Sequence, residues 1–145
     1  MEVEVEVLRL ENQFCFLLYA ASREITQIYK PLLDELDITY PQYLVLIVLW
    51  EKDKQTVNQI GEKLLLDSGT LTPLLKRLEQ KELVNRKRSS VDERIVEISL
   101  TKKGANIKEK AECIPSKMAG QLDISLKEAK TLKFIVNKIL KRTNQ

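Results

Sequence analysis

The chain of 145 residues contains no histidine, which removes imidazole acid–base catalysis and His-ligated metal sites. Its two cysteines, Cys15 and Cys113, are too few for a structural zinc site built on thiolates. Only four glycines and four prolines occur, and no Gly-rich phosphate loop is among them, so enzymatic readings start weak. The longest apolar run, Tyr43 to Trp50, falls far short of the ~20 residues that span a bilayer. No cationic flank followed by an apolar stretch opens the chain, which argues against a signal peptide and for a cytoplasmic address. No metal, cofactor or membrane contact is expected.

What is present is a hydrophobic fraction of 43% beside a charged fraction of 31%. That balance fits one mostly helical domain, residues 1–145, with a real core. The net charge of +3 is modest but unevenly placed. Between Lys76 and Lys103 nine cations stand against five anions, whereas residues 1–11 hold four Glu and one Arg. A basic patch confined to one segment suits phosphate contact better than general solubility.

The segment Asp67 to Val84 is the most informative. Leu71, Leu74, Leu75 and Leu78 recur at i, i+3, i+4 and i+7 and form one apolar helical stripe. The opposite face offers Thr70, Thr72, Lys76 and Arg77. Such a helix is either an ordinary amphipathic one or a reader of a DNA groove, and its neighbours favour the second. Upstream, Thr56-Val-Asn-Gln59 is a capping box that opens a short helix to about Leu65. Downstream, Val84–Arg88 and Ile95–Leu100 read as two strands, with Ser89–Glu93 as the tip of a wing. Residues 1–8 alternate Val and Glu as a variable leader. A helix runs from about Leu10 to Tyr29 and is stopped by Pro31, and Pro41 starts the next, with Tyr40 just outside it. That helix, to Trp50, is apolar nearly all round and should be the buried centre. Thr101 caps a long helix to about Lys117, bent or broken near Pro115. Ser125–Glu128 is another capping box, and Leu132, Ile135, Val136, Ile139 and Leu140 stripe the last helix. The fold class is mainly α, a winged helix-turn-helix over about residues 38–103.

This order of elements, the string DSGTLTPLLKRLEQ and the wing motif Asp92-Glu-Arg94 resemble the MarR superfamily of bacterial repressors. LENQFCFLLYAASRE, containing Cys15, and DITYPQYLVL, containing Tyr40, are similar to its organic-hydroperoxide-sensing branch. The resemblance covers about residues 9–143 and is most specific at Cys15. It implies a homodimer on a pseudo-palindromic double-stranded DNA operator, with dimerisation helices over about residues 9–31 and 102–143. It also implies release when the N-terminal cysteine meets an organic hydroperoxide.

The residues support a sensor. Thiolate, not thiol, attacks peroxide, and Cys15 falls in the first turns of its helix, where backbone dipoles favour an anion. Tyrosine hydroxyls donating to the sulfur would help. Tyr29 lies within ~40° of Cys15 around the axis but ~21 Å along it, so within one chain the two cannot touch. Two copies of the helix paired antiparallel would bring them together, and the resemblance implies that arrangement, with Tyr40 as a second donor from the partner. Seven of the eight aromatics lie between Phe14 and Trp50, an apolar setting that would prefer organic hydroperoxides. Cys113 is either a resolving thiol, as in two-cysteine relatives, or a small packing residue.

At DNA, Lys76 and Arg77 are the long cations of the recognition face, and Ser68, Thr70 and Thr72 reach bases or phosphates near its start. Arg94 is placed to enter a minor groove, and Asp92 to orient Arg94 or tie the wing down. Arg86, Lys87 and Arg88 either contact phosphates or merely flank the strand. Three other readings remain: a regulator released by a small phenolic ligand, a thiol peroxidase, and a helical adaptor without DNA affinity.

Overall fold

A computed structural model describes residues 7–143, with side chains to residue 141. The Val/Glu leader read over residues 1–8 therefore lies mostly outside the described residues. Helix α1, Phe14–Asp34, follows a single 3-10 turn at Leu10–Asn12. It carries Pro31 inside it instead of stopping there. A proline costs one backbone hydrogen bond, but continuing the helix buries Leu33 and sets Lys30 Nζ 2.9 Å from Asp34. The chain turns only at Asp37, whose φ of 55° is a left-handed value that Asp tolerates.

Helix α2, Tyr40–Glu51, is opened by a capping box that the sequence reading did not single out. The Thr39 N–H donates to Gln42 Oε1 at 3.0 Å and the Gln42 N–H to Thr39 Oγ1 at 3.4 Å. Thr39 takes the cap, so Tyr40 lies inside the first turn and not outside it. Helix α2 is the buried centre, as its all-round apolarity implies, with Val45 and Leu46 fully enclosed.

Strand β1, Gln55–Thr56, is two residues long, too short to leave any periodic signal. Helix α3, Val57–Leu64, opens on the expected Thr56/Gln59 box, and α4, Ser68–Gln80, is capped by Asp67. Between them a side chain on Gly61 would stand 2.7 Å from the Leu66 carbonyl oxygen. Only glycine lets this turn close so tightly. Leu71, Leu75 and Leu78 are buried in the core, while Leu74 is half-exposed.

Strands β2, Val84–Arg88, and β3, Val96–Leu100, pair antiparallel from Val84 opposite Leu100 to Arg88 opposite Val96. Strand β1 joins the other edge of β3, giving the order β1-β3-β2. Thr101 caps α5, Lys102–Asn106, as expected. The long helix expected beyond it is three pieces: α5, α6 at Lys108–Ala111, and α7 at Ile114–Leu122. The expected break near Pro115 falls at Glu112–Cys113, and Pro115 itself sits in the first turn of α7, where its missing N–H and fixed φ cost nothing. Helix α8, Leu126–Thr143, follows the Ser125/Glu128 box. Contacts divide the chain into two compact units, Met1–Glu112 and Cys113–Gln145. Among the described residues no helix is long and apolar enough to cross a membrane, and no cluster of acidic, cysteine or histidine side chains could hold a metal.

Candidate nucleic-acid interface and thiol site

The start of α4 and the wing face each other across a hollow of about 310 Å³, whose lining includes Asn58, Ser68, Thr72 and Arg94. Ser68 and Thr72 come from adjacent turns of one helix face, and Arg94 from the wing. Asn58, exposed in the first turn of α3, was not read from the sequence, where it stands only as an interior residue of the capping box. One turn further on, Lys76 and Arg77 are exposed and form no ion pair among the described residues. The buried leucine stripe on the other side of α4 fixes this face outward.

Two hydroxyls of the face are partly spent on the helix itself. Thr70 Oγ1 donates to Asp67 Oδ1 at 2.6 Å, and Thr72 Oγ1 to the Ser68 carbonyl at 2.8 Å. The Thr70 hydroxyl and N–H hold the Asp67 carboxyl below the usual carboxylate range. Both threonines keep acceptor lone pairs for an outside donor.

At the wing, Arg94 Nε and Nη2 reach the two carboxylate oxygens of Asp92 at 3.1 and 3.2 Å, and the Arg94 N–H adds a third bond at 3.0 Å. The Arg94 side chain is 91% exposed whereas that of Asp92 is 33% exposed. The carboxylate therefore orients the guanidinium without hiding it. The arginine in turn holds the Asp92 carboxyl below its ordinary value.

The three cations of β2 diverge. Arg86 turns inward, its Nε 3.1 Å from Glu79 Oε1 and its N–H 3.3 Å from Oε2, and it braces α4 against the strand. Arg88 Nη1 donates to the Glu93 carbonyl at 2.9 Å and closes the wing. Lys87 stays exposed, opposite Glu97 in the ladder. Glu79 was missed from the sequence because an acid seven residues from its partner has no periodic signature.

Cys15 is the second residue of α1 and is exposed. Its helix begins at Phe14 without a side-chain cap, and the first N–H groups of a helix have no partner within it. Tyr29 is on the same unbroken helix, which preserves the long axial separation read from the sequence. Its ring meets that of Tyr40 at 4.6 Å, and Tyr43 joins both at 5.9 and 6.3 Å. Burial raises the Tyr29 and Tyr40 phenols, Tyr29 with added repulsion from Tyr40 and Tyr43. Both hydroxyls therefore stay protonated and able to donate across the physiological range. Tyr43, counted from the sequence only among the aromatics, completes this cluster. Cys113 is exposed immediately before α7.

Residues 27–111 match the family of SarA/Rot transcriptional regulators. Over all 145 residues the chain is 55% identical to the organic hydroperoxide resistance transcriptional regulator of Bacillus subtilis, covering 99% of it. The reduced, DNA-bound form of AbfR, a Staphylococcus epidermidis protein, is 39% identical and superposes with a TM-score of 0.78 over 99% of each chain. The disulfide-formed state of AbfR, at 38% identity over 99% of this chain and 95% of that one, gives 0.63. A mutant form of Escherichia coli MarR complexed with operator DNA is 27% identical, with a TM-score of 0.80 over 91% of this chain and 99% of its own. The chain belongs to the MarR superfamily of winged-helix transcriptional regulators, in the branch of the organic hydroperoxide resistance regulator.

Proposed function

We propose that the protein is a homodimeric repressor of the cytoplasm that holds a pseudo-palindromic operator while Cys15 is reduced and leaves it when an organic hydroperoxide oxidises that thiol. The observation that carries this is an exposed Cys15 at the open N-terminus of α1, in a chain 55% identical end to end to a hydroperoxide-resistance regulator. The Cys15 thiolate attacks the distal peroxide oxygen. An S–O bond forms, the O–O bond breaks, sulfur loses two electrons, and the alkoxide leaves to take a proton. Tyr29 and Tyr40 of the partner subunit donate to the sulfur and stabilise the thiolate. Dimerisation involves about residues 9–31 and 102–143. The exposed Phe14, Leu17 and Tyr19 on α1 and Leu132, Ile135 and Ile139 on α8 give each chain apolar surface to bury.

At the operator, α4 enters the major groove with Ser68, Thr70, Thr72, Lys76 and Arg77 toward bases and phosphates. Arg94, aimed by Asp92, enters the minor groove. Lys87 and Arg88 supply backbone charge, and Arg86 acts by bracing the strand. The test is fluorescence anisotropy on a duplex selected from random sequence, with the reduced protein titrated and one equivalent of cumene hydroperoxide then added. Release by peroxide and not by aromatic acids supports the reading. Release by the acids alone makes the protein a ligand-responsive regulator.

A further inference from the structure

The recognition helix is tied at its C-terminal end to the cap of α2 through one side chain. Lys81, the residue that follows α4, turns its ammonium away from the basic face. Its Nζ donates to the Asp37 carbonyl at 2.7 Å and to Gln42 Oε1 at 3.1 Å, with the Asp37 carboxylate 3.9 Å away. Gln42 is 2% exposed, and the same Oε1 accepts from the Thr39 N–H at 3.0 Å. Both lone pairs of that oxygen are therefore taken, one by the cap of α2 and one by the end of α4.

The position of this link gives it a consequence. Tyr40 lies between Thr39 and Gln42 in the same turn, and its ring packs on Tyr29. Whatever displaces Tyr40 displaces the cap whose carboxamide holds Lys81. The two helices α2 and α4 also pack on each other, and apolar packing is non-directional, whereas hydrogen bonds weaken steeply when misaligned. On the far side Lys103 Nζ donates to the Lys81 carbonyl at 3.1 Å, so the end of α4 is held from two directions. A cation bound to a buried amide and a peptide carbonyl is also withdrawn from phosphate contact.

We propose that Lys81 is a positioning residue of the switch, coupling the Tyr29–Tyr40 cluster to the recognition helix through Gln42 Oε1 and the Asp37 carbonyl. This rests on the redox reading above and adds its route from thiol to DNA. The test compares wild type, Lys81→Met and Lys81→Arg by operator Kd in the reduced and fully oxidised states, with Cys15 oxidation followed by mass spectrometry and folding by thermal melts. In Lys81→Met, Cys15 oxidises as in wild type and the reduced Kd stays within about threefold, but the oxidised-to-reduced Kd ratio falls about tenfold, a usual size for site–site coupling. Lys81→Arg, which keeps a cation within reach of both acceptors, restores the ratio. Lys81→Gln serves as a second uncoupled variant if the methionine unfolds the protein. A wild-type ratio in the methionine variant overturns the proposal. Equal weakening of both states also overturns it, leaving Lys81 a structural brace. Wild-type protein that is oxidised at Cys15 yet keeps its operator overturns the redox reading itself, and the coupling with it.

Discussion

Cys15→Ser separates packing from chemistry at a single atom. The hydroxyl is nearly isosteric but is not a nucleophile at neutral pH, so this variant should bind operator as wild type does and ignore organic hydroperoxide; release on oxidation would remove Cys15 from the switch. Arg94→Ala tests the wing. Because the guanidinium is 91% exposed, its loss should leave the melting temperature unchanged while weakening operator binding about tenfold, as for other groove-contacting arginines. Unchanged affinity in anisotropy would take Arg94 out of the interface. The carboxyls of Asp67 and Asp92 are held below their ordinary range by Thr70 and Arg94. Groups depressed in the folded state contribute stability that is complete above the unfolded value, ~4, and lost as pH falls through the folded one. The cap and the wing clamp should therefore persist below pH ~4, and Asp67→Asn and Asp92→Asn should flatten the acid limb of a stability–pH curve. An unaltered limb would show that neither carboxyl is linked to folding. The contact between Asp92 and Arg94 agrees with the expectation from the wing motif, since an acid two residues from an arginine can orient it. The roles of Glu79 and Lys81 were not legible in the sequence, since their partners are fixed by how α4 lies on β2 and on the α1–α2 turn.

Element by element, helix α4 combines a cap, a buried stripe and a free face, and its stripe can be tested apart from its chemistry. Leu75→Ala, at a fully buried position, should cost about 2–5 kcal/mol, read in denaturant melts, and operator affinity should fall only as the folded fraction falls. A loss under about 1 kcal/mol, well below that range, would mean the stripe is not core. Capping boxes at Thr56 and Ser125 and the strands of the wing could be read directly, because hydrogen-bonding side chains at fixed spacing and alternating apolar residues are local signals. The failures were non-local. Pro31 reads as a stop until Leu33 is seen to be buried beyond it. The break before Pro115 was expected, but the second one at Ile107 leaves no residue signal of its own. Strand β1 exists only because β3 offers it an edge.

For the whole molecule, the separation of Cys15 from Tyr29 along one unbroken helix lets Tyr29 reach the thiol only if two chains pair. Sedimentation at micromolar concentration should therefore find a dimer, and a monomer would sink the arrangement. Its operator affinity should fall steeply with salt, each neutralised phosphate adding ~0.9 to the log–log slope. Oxidation must then alter the relation between the two subunits, and Cys113, exposed just before α7, is the residue through which it could be locked. If Cys113 is a resolving thiol, a sulfenic acid at Cys15 condenses with the thiol of Cys113 of the partner subunit, forming S–S and releasing water, once the two Cα atoms come within roughly 4.4–6.8 Å. The reduced protein need not satisfy that limit, because the helix on the N-terminal side is already broken at Ile107 and again at Glu112, and short pieces shift more easily than one long helix. A non-reducing denaturing gel after one equivalent of organic hydroperoxide should show a dimer band that Cys113→Ser abolishes, while Cys15 in that variant still reaches sulfenic acid. A gel with monomer alone, and a small-thiol adduct on Cys15, would make Cys113 a packing residue and leave the switch to Cys15.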